Sequence, residues 1–475
     1  MKLSAHKTKI VCTIGPASES VHIIEQMIRA GMNVARLNFS HEDFASHEKR
    51  IDSIRKAAEA AGIPVAIMAD LPGPKMRIGQ LASEPVELEQ GSTFTLTAED
   101  TIGDQQRVSV TFPRLPHAVK KGDALFLNDG MIQLEVLAVA GNDVQCLVLV
   151  GGELRSRKGL NLPGIDLGIT AFTVRDHDCL RFAVEQGIDA VSQSFVESAA
   201  DIQAVREAAT AFGGSPLIIA KIERSRALDQ MEGILHAADG IMVARGDLGV
   251  ETPIERIAVL QKQLIQHANL LGKPVITATQ MLESMTRNRR PTRAESTDVA
   301  NAILDGTDCV MRSEESAMGQ YPVDCVAMLA RIAETVEPHR AHFPARRALA
   351  ECDQSNDTDL ADLVALGVLT VVERVTPDIV IVPTRSGRTA RILSRFKLPT
   401  WITAVSSQQA TCRNLIFSYG VWPIHEPDHP HDWKAFARQW LESQGVKARL
   451  VVLTEGPSSK YPDTNNRMEI IDMSR

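Results

Sequence analysis

Residues 216–247 read PLIIAKIERSRALDQMEGILHAADGIMVARGD, and this stretch decides how the rest of the chain is read. Two short β-rich runs, Pro216–Glu223 and Asp239–Arg245, flank an amphipathic helical segment. That is the pattern of parallel strands joined by a crossover helix. Both runs are apolar through their bodies and end in charge, Lys221 and Glu223 after the first and Arg245 and Asp247 after the second. Residues 221 and 223 are two apart, so their side chains share one side of a strand.

The same unit recurs in both directions. Lys9–Ile14, Asn33–Phe39 and Pro64–Asp70 are three further strands near the start, Asp189–Phe195 comes next, and Pro274–Thr279 and Asp308–Ser313 follow, each leading into a helical stretch. Eight βα units in one core predict an α/β fold of the closed (β/α)8 TIM-barrel type, with an open doubly wound sheet as the alternative. Between the third and fourth strands the rhythm changes to alternating runs (TFTL, RVSV, ALFLNDGMIQLEV, DVQCLVLV), with Asn128-Asp129-Gly130 as a hairpin signal. This predicts an inserted all-β lid. A Pro, Arg and polar stretch to about Asp357 reads as a connector. After it, Ile379–Val382, Trp401–Val405, Val421–Ile424 and Arg449–Thr454 predict an open-sheet α/β domain. The expected division is 1–72 with 158–338 for the barrel, 73–157 for the lid and 339–475 for the C-terminal domain.

With 475 residues, 44% of them hydrophobic, the chain has material for several cores. A net charge of −8 argues against a nucleic-acid binder that works by bulk electrostatics, so any phosphate must be held locally. The longest apolar run, Leu363–Val372, falls far short of the roughly 18 residues that suggest a membrane span. Seven scattered cysteines without a CxxC pair, and a polar N-terminus, predict a reducing, cytoplasmic setting.

In a (β/α)8 barrel the working groups stand at the carboxyl ends of the strands. Here those ends carry Arg36, Asn38, Ser40, Asp70, Ser194, Lys221, Glu223, Arg245, Asp247, Thr279, Ser313 and Glu315. Any one of them alone reads as a solvated strand end or a helix cap; the whole ring does not. Glu223 and Asp247 are the carboxylate pair expected to hold a hard divalent cation, Mg2+ or Mn2+. Lys221 beside it is a point charge able to follow a phosphoryl group; the plainer reading is a Lys–Glu salt bridge closing the barrel top. Gly246 and Gly249 frame a turn whose amides suit a carboxylate or phosphate, with a helix expected from about Thr252. No GxxxxGK[ST] or GxGxxG occurs, so a bound nucleotide would lie outside the common glycine-loop folds.

Several long stretches resemble the pyruvate kinase family, of the bacterial type: TKIVCTIGPAS (8–18), ARLNFSH (35–41), KGLNLPG (158–164), AKIE (220–223), VARGDLGVE (243–251), ATQMLESM (278–285) and RPTRAESTDVANAILDGTDC (290–309). The resemblance implies phosphoryl transfer from phosphoenolpyruvate to ADP in glycolysis, yielding pyruvate and ATP. By motif it places the divalent ion on Glu223 and Asp247, and the transferring phosphoryl group against Lys221 and Arg36. It places the substrate carboxylate and proton path at Thr279 and at the Arg245, Gly246 and Asp247 turn, and the nucleotide at Pro16, His41, Arg77 and Lys158. Asn38, Ser40, Asp70 and the carbonyl of Leu71 resemble the family's monovalent-cation site. Lys75 stands where many members carry a glutamate, which implies activity without K+. Glu314 in Arg312-Ser313-Glu314-Glu315-Ser316 departs from the family's glycine, so Ser313 and Glu315 are given no catalytic role.

The Thr384-Arg385-Ser386-Gly387-Arg388-Thr389 loop resembles the family's effector-phosphate loop, while Glu455–Asn466 lacks the Trp and Arg pattern of fructose-bisphosphate-responsive relatives. A phosphorylated sugar or AMP as effector, or loss of regulation, are the alternatives left open, and a homotetramer is the assembly the resemblance implies, with no nucleic-acid or membrane partner. Two other readings stay open: a barrel lyase using Lys221 as a Schiff base, and a non-catalytic regulatory relative.

Overall fold

The computed structural model describes residues 3–279, 281–340, 360–428, 430, 432–446, 449–456 and 465–474. Residues 341–359, which hold most of the connector, and 457–464 of the loop expected to differ from fructose-bisphosphate-responsive relatives, lie outside the described residues.

Eight parallel strands close into a barrel, which settles the choice against an open sheet. They are β1 (Lys9–Thr13), β2 (Met32–Asn38) and β3 (Ala66–Leu71), then, after the eight strands β4–β11 of the insertion, β12 (Ala190–Gln193), β13 (Leu217–Ile222), β14 (Gly240–Ala244), β15 (Val275–Ala278) and β16 (Cys309–Arg312). Closure runs through β16 against β1, from Lys9 opposite Cys309 to Cys12 opposite Arg312. Alternate residues face inward and outward. Val11, Val34, Met68, Ile219, Met242, Ile276 and Met311 belong to one buried cluster, and Ile10, Ala35, Ile67, Val243 and Val310 to another, packed with helix residues such as Ile24 and Ile54. Ile416 and Phe417 of the C-terminal domain join the first cluster beside Cys309 and Leu217, at the amino ends of the strands. The barrel is thus plugged from below and open only above.

The insertion contains β4 (Val86–Leu88), β5 (Thr93–Thr97), β6 (Arg107–Ser109), β7 (Ala124–Leu127), β8 (Ile132–Ala140), β9 (Asp143–Val150), β10 (Gly152–Leu154) and β11 (Leu160–Asn161). β11 lies beyond the expected bound at 157 yet pairs with β7. Asp129 and Gly130 take φ of 55° and 87°, and the Met131 amide donates to the Asn128 carbonyl at 3.1 Å, as Asp-Gly in a tight turn requires. The two chains entering and leaving the insertion pair with each other. Ile78 N–H donates to the Lys158 carbonyl at 2.9 Å and Leu160 N–H to the Met76 carbonyl at 3.0 Å. At the entry, Gly73 has φ of 64°, and a Cβ there would lie 2.9 Å from the Phe195 ring, so only glycine fits. Asp176, in a capping box with Thr173, also accepts the Gly73 amide at 2.9 Å, tying this hinge to the barrel.

The C-terminal sheet has the order β19 (Val421–His425), β18 (Ile402–Ser406), β17 (Ile379–Pro383), β20 (Leu450–Glu455), β21 (Arg467–Asp472). Four strands are parallel and match the expected ones; the antiparallel edge strand β21 was not foreseen.

Candidate active site

The register of β2, β3 and β12 sets Asn38 beside Asp70 and Asp70 beside Ser192. Around Asp70 a buried polar network forms. Arg36 gives Nε to Asp70 Oδ2 at 3.1 Å and Nη1 to the Thr13 hydroxyl at 2.7 Å, while Ser192 donates to Asp70 Oδ1 at 2.7 Å. Lys221 Nζ lies 3.3 Å from Asp70 Oδ1, 2.7 Å from Glu223 Oε1 and 2.7 Å from the Ser194 hydroxyl. Glu223 takes the Phe195 amide on its other oxygen at 2.9 Å. Arg36, Asp70, Ser194, Lys221, Glu223, Asp247, Thr279 and Ser313 line one cavity of about 110 Å3 at the open end of the barrel.

Burial would raise the Asp70 carboxyl, but Arg36, Lys221 and the Ser192 hydrogen bond outweigh it and hold the group down at about 2. Burial likewise opposes the charge on Lys221, yet Asp70 and Glu223 push the ammonium above its ordinary range. Glu223 is raised, first by burial and then by the like charge of Asp247, against the pull of Lys221. An ammonium favoured by two carboxylates at 3.3 and 2.7 Å suits the Schiff-base reading poorly, because that chemistry needs a desolvated, partly deprotonated amine.

Two residues of this rim, Phe195 (φ 59°) and Thr279 (φ 68°), hold left-handed backbone without being glycine. For a β-branched residue this is a costly conformation that persists only where the surroundings impose it. At Thr279 the imposing group is Arg245. Its five N–H donors reach the carbonyls of Ala278 (3.2 Å) and Thr279 (2.7 Å), Gln261 Oε1 (3.2 Å), Asp298 Oδ1 (2.7 Å) and Met281 Sδ (2.8 Å). The Arg245 side chain is fully engaged as a clamp, which leaves its backbone amide, with those of Gly246 and Asp247, as the group expected at the substrate carboxylate. Its segment is not a turn leading to a helix at Thr252: Arg245–Glu251 is itself a helix, with Thr252 as its C-cap. The Gly246 amide donates to the Thr279 hydroxyl at 2.8 Å, and Asp247 stands in the first turn, where backbone N–H groups lack intrahelical partners.

Among the described residues no group of three or more His, Cys, Asp or Glu is arranged to hold a metal ion. Glu223 and Asp247 nonetheless fit a divalent cation. They face one cavity, and Asp247 opposes the charge on Glu223, a penalty that a cation removes. Two carboxylates with water and substrate oxygens are a customary magnesium set.

The other expected residues divide. Asn38, Ser40 and Lys75 line the same cavity. Asn38 Oδ1 accepts the Ser40 amide at 3.1 Å, and the Leu71 carbonyl accepts the Ser194 hydroxyl at 2.8 Å. Among the described residues the cations paired with Asp70 are Arg36 and Lys221, with no Lys75 pair. His41 is lowered by burial and then by Arg77, Lys75 and Arg36, so it shares its surroundings with Arg77. Arg77 Nη1 donates to the Arg157 carbonyl at 2.9 Å, beside Lys158 at the paired lid junction, and Pro16 is exposed just beyond β1. Glu315 is structural. It pairs with fully buried Arg312 at 2.8 Å and accepts the Ser313 amide at 2.9 Å. Glu314 and Glu315 both line a wider cleft of about 930 Å3, bounded by the lid turn Asp129–Met131 and by Gly249–Ile254, which adjoins the small cavity at Asp247, Thr279 and Ser313; neither glutamate lines the small cavity itself. Sequence reasoning missed Thr13, Ser192, Phe195 and the Arg245–Asp298 pair. The first two were visible only as small polar residues inside apolar runs.

A barrel whose open end gathers a lysine, an arginine and a carboxylate pair under a hinged lid belongs to the class of enzymes that handle an anionic, phosphorylated substrate beside a cation. A family model described as "Pyruvate kinase, barrel domain" matches residues 5–326, and one described as "Pyruvate kinase, alpha/beta domain" matches 362–471. The chain is 48% identical over 469 residues to a pyruvate kinase of Thermococcus litoralis, covering 98% of both proteins. It is 44% identical over 428 residues to one of Geobacillus stearothermophilus, covering 90% of this chain and 72% of that protein. It is also 41% identical over 470 residues to one of Clostridium acetobutylicum, covering 98% and 99%. The chain belongs to the pyruvate kinase family.

Proposed function

We propose a division of labour at the barrel mouth for the family's reaction, transfer of the phosphoryl group of phosphoenolpyruvate to ADP, giving pyruvate and ATP. The observation that carries it is the meeting of Arg36, Lys221, Glu223, Asp247 and Thr279, far apart in sequence, around one cavity. Lys221 and Arg36 present fixed positive charge to the moving phosphoryl group. Transfer of this kind is catalysed mainly by positioning and charge stabilisation. The helix N-terminus at Gly246 and Asp247, with Thr279, receives the substrate carboxylate. The Thr279 hydroxyl lies on the proton path to the enolate carbon, through water. Pro16, His41, Arg77 and Lys158 take the nucleotide as the lid swings on its paired junction and excludes water. The family requires a divalent ion; here Glu223 and Asp247 would hold Mg2+ or Mn2+, which supplies charge neutralisation across the substrate oxygens when bound.

Lys75, at the edge of the cavity, supports activity without K+, a tethered ammonium supplying the charge of the ion beside Asn38, Ser40, Asp70 and Leu71. The Thr384–Thr389 loop, where Gly387 has φ of 81° and lies between β17 and a helix, is the proposed seat of an effector phosphate from a sugar phosphate or AMP. A cytoplasmic homotetramer completes the reading. Six of the cysteines are free and buried, and no helix of the described residues is long and apolar enough to cross a membrane.

The test is a lactate dehydrogenase-coupled assay with phosphoenolpyruvate, ADP and Mg2+ in tetramethylammonium buffer. Turnover is expected without K+ and is abolished by a chelator. Absence of pyruvate formation under any ion condition overturns the reading and leaves the non-catalytic relative standing. Turnover that requires K+ overturns the role of Lys75 alone.

A further inference from the structure

Below the barrel, away from the mouth, a second cavity of about 380 Å3 opens between the barrel and the C-terminal domain. Its barrel wall is Asp239 at the foot of β14 and the segment Leu270–Lys273; its other wall is Asp362 with Arg388, Arg391, Ile392 and Arg395. Four cationic side chains thus face two carboxylates, and both carboxylates are engaged. Asp239 pairs with Arg206 at 3.0 Å and takes the Ile218 amide at 2.9 Å, and Asp362 pairs with Arg395 at 2.8 Å.

Lys273 and Arg391 form no close ion pair among the described residues; Asp239, already paired with Arg206, is the carboxylate that favours their charge. Lys273 donates to the carbonyls of His236 and Ala238, and Arg391 Nη2 to the Ser386 carbonyl at 3.0 Å. Burial depresses both groups against the raising influence of Asp239, and Arg206 and then Arg391 further oppose the charge on Lys273. With Asp239 and Asp362 each already paired, four cations around an open cavity leave an excess of positive charge that an anion completes. A guanidinium fork and an ammonium together suit a doubly charged group with several acceptor oxygens. Leu270, Leu271 and Ile392 give the cavity apolar walls, and its volume exceeds what one oxyanion fills.

We propose that this interdomain cavity binds a phosphate monoester, a phosphorylated small metabolite whose head group lies between Lys273 and Arg391 and whose body lies against Leu270, Leu271 and Ile392. The site is separate from the mouth and stands whatever roles the residues there have. By joining the foot of β14 to the C-terminal domain it stiffens the contact between the two.

Titration calorimetry on the full chain with glucose 6-phosphate, AMP and inorganic phosphate tests this. At least one ester is expected to bind more tightly than inorganic phosphate, and Lys273→Gln and Arg391→Gln to weaken it by about tenfold or more, or 1.4 kcal/mol. Leu271→Glu sets a negative charge on the wall at a position 42% exposed, and removes no side-chain hydrogen bond, so it tests the site without relying on the folding of the other two variants. It is expected to abolish binding, while Thr384→Ala in the effector loop leaves it intact. The proposal is overturned if no probe binds up to about 10 mM, if inorganic phosphate binds as well as the esters, or if Leu271→Glu binds normally while Thr384→Ala does not.

Discussion

The two ends of the barrel bury charge in opposite ways. At the floor, away from the Lys273–Arg391 cavity, the charges around the Phe417 plug are answered by protein. Asp308 Oδ1 takes Lys397 Nζ at 2.7 Å and the Tyr419 amide at 2.8 Å, Lys9 Nζ donates to the Val421 carbonyl at 2.7 Å, and Glu337 accepts the Lys7 and Thr8 amides. At the mouth Arg36, Lys221 and Glu223 also have partners, but they line a cavity with room for a ligand, and Glu223 and Asp247 share it as like charges. Paired buried charge with no room left is a join between domains. Buried charge around an open cavity is a site, because the remaining electrostatic work is left for a ligand.

The largest effect that sharpens this contrast belongs to the floor. Phe417→Ala empties the plug of the barrel and is expected to lower unfolding stability by about 3–5 kcal/mol, read by chemical denaturation. kcat at a temperature where the variant is folded should stay within about twofold, since sites this far apart act independently. A large loss of kcat in the folded variant would break the division between the two ends.

Next comes the mouth. Lys221→Met removes the central cation and is expected to lower kcat by about 10²–10³-fold. Lys397→Met, which removes the matching buried cation below, should change stability and leave kcat of the folded protein nearly untouched. Equal losses of kcat in the two variants would show that charge at either end matters only through folding.

A smaller effect separates contact from positioning. Arg245→Lys cannot reproduce five directed donors. Thr279 is then released from its left-handed backbone, and kcat is expected to fall on the order of tenfold with KM for phosphoenolpyruvate little changed. A large rise in KM with kcat intact would instead make Arg245 a direct substrate contact.

How far this was legible from sequence follows from the same contrast. Strands ending in Arg36, Asp70, Lys221 and Thr279 announced the mouth, because a run of charged or polar residues at the ends of apolar strands needs a reason. The floor announced nothing: Lys9 and Asp308 sit at the starts of strands, where charge is ordinary, and their partners lie in a domain whose docking no local pattern encodes. The helix Arg245–Glu251 was hidden for a local reason, since Gly246 and Gly249 are poor helix formers and read as a turn. The Arg245 clamp depends on Asp298 and Gln261, distant in sequence and unremarkable in their own helices.

The smallest effect is a pH dependence at the floor. Burial depresses Lys9 to about 8, against the weaker raising influence of Cys309, Glu337 and Asp308. Its ammonium lies 5.0 Å from the centre of the Trp401 ring. Below that value the folded chain carries a charge it holds less comfortably than the unfolded chain does, so the penalty is fully present. As pH rises from about 8 towards the ordinary lysine value, the folded chain sheds the proton while the unfolded chain still binds it, and stability gained from this group grows by about 1 kcal/mol between pH 8 and 9. Lys9→Met, apolar against the same ring, should flatten the slope of denaturation midpoint against pH over that interval, whatever it does to the absolute midpoint. Parallel slopes in the two proteins would mean that Lys9 keeps its charge through the interval, and that the floor, like the mouth, holds its cation permanently.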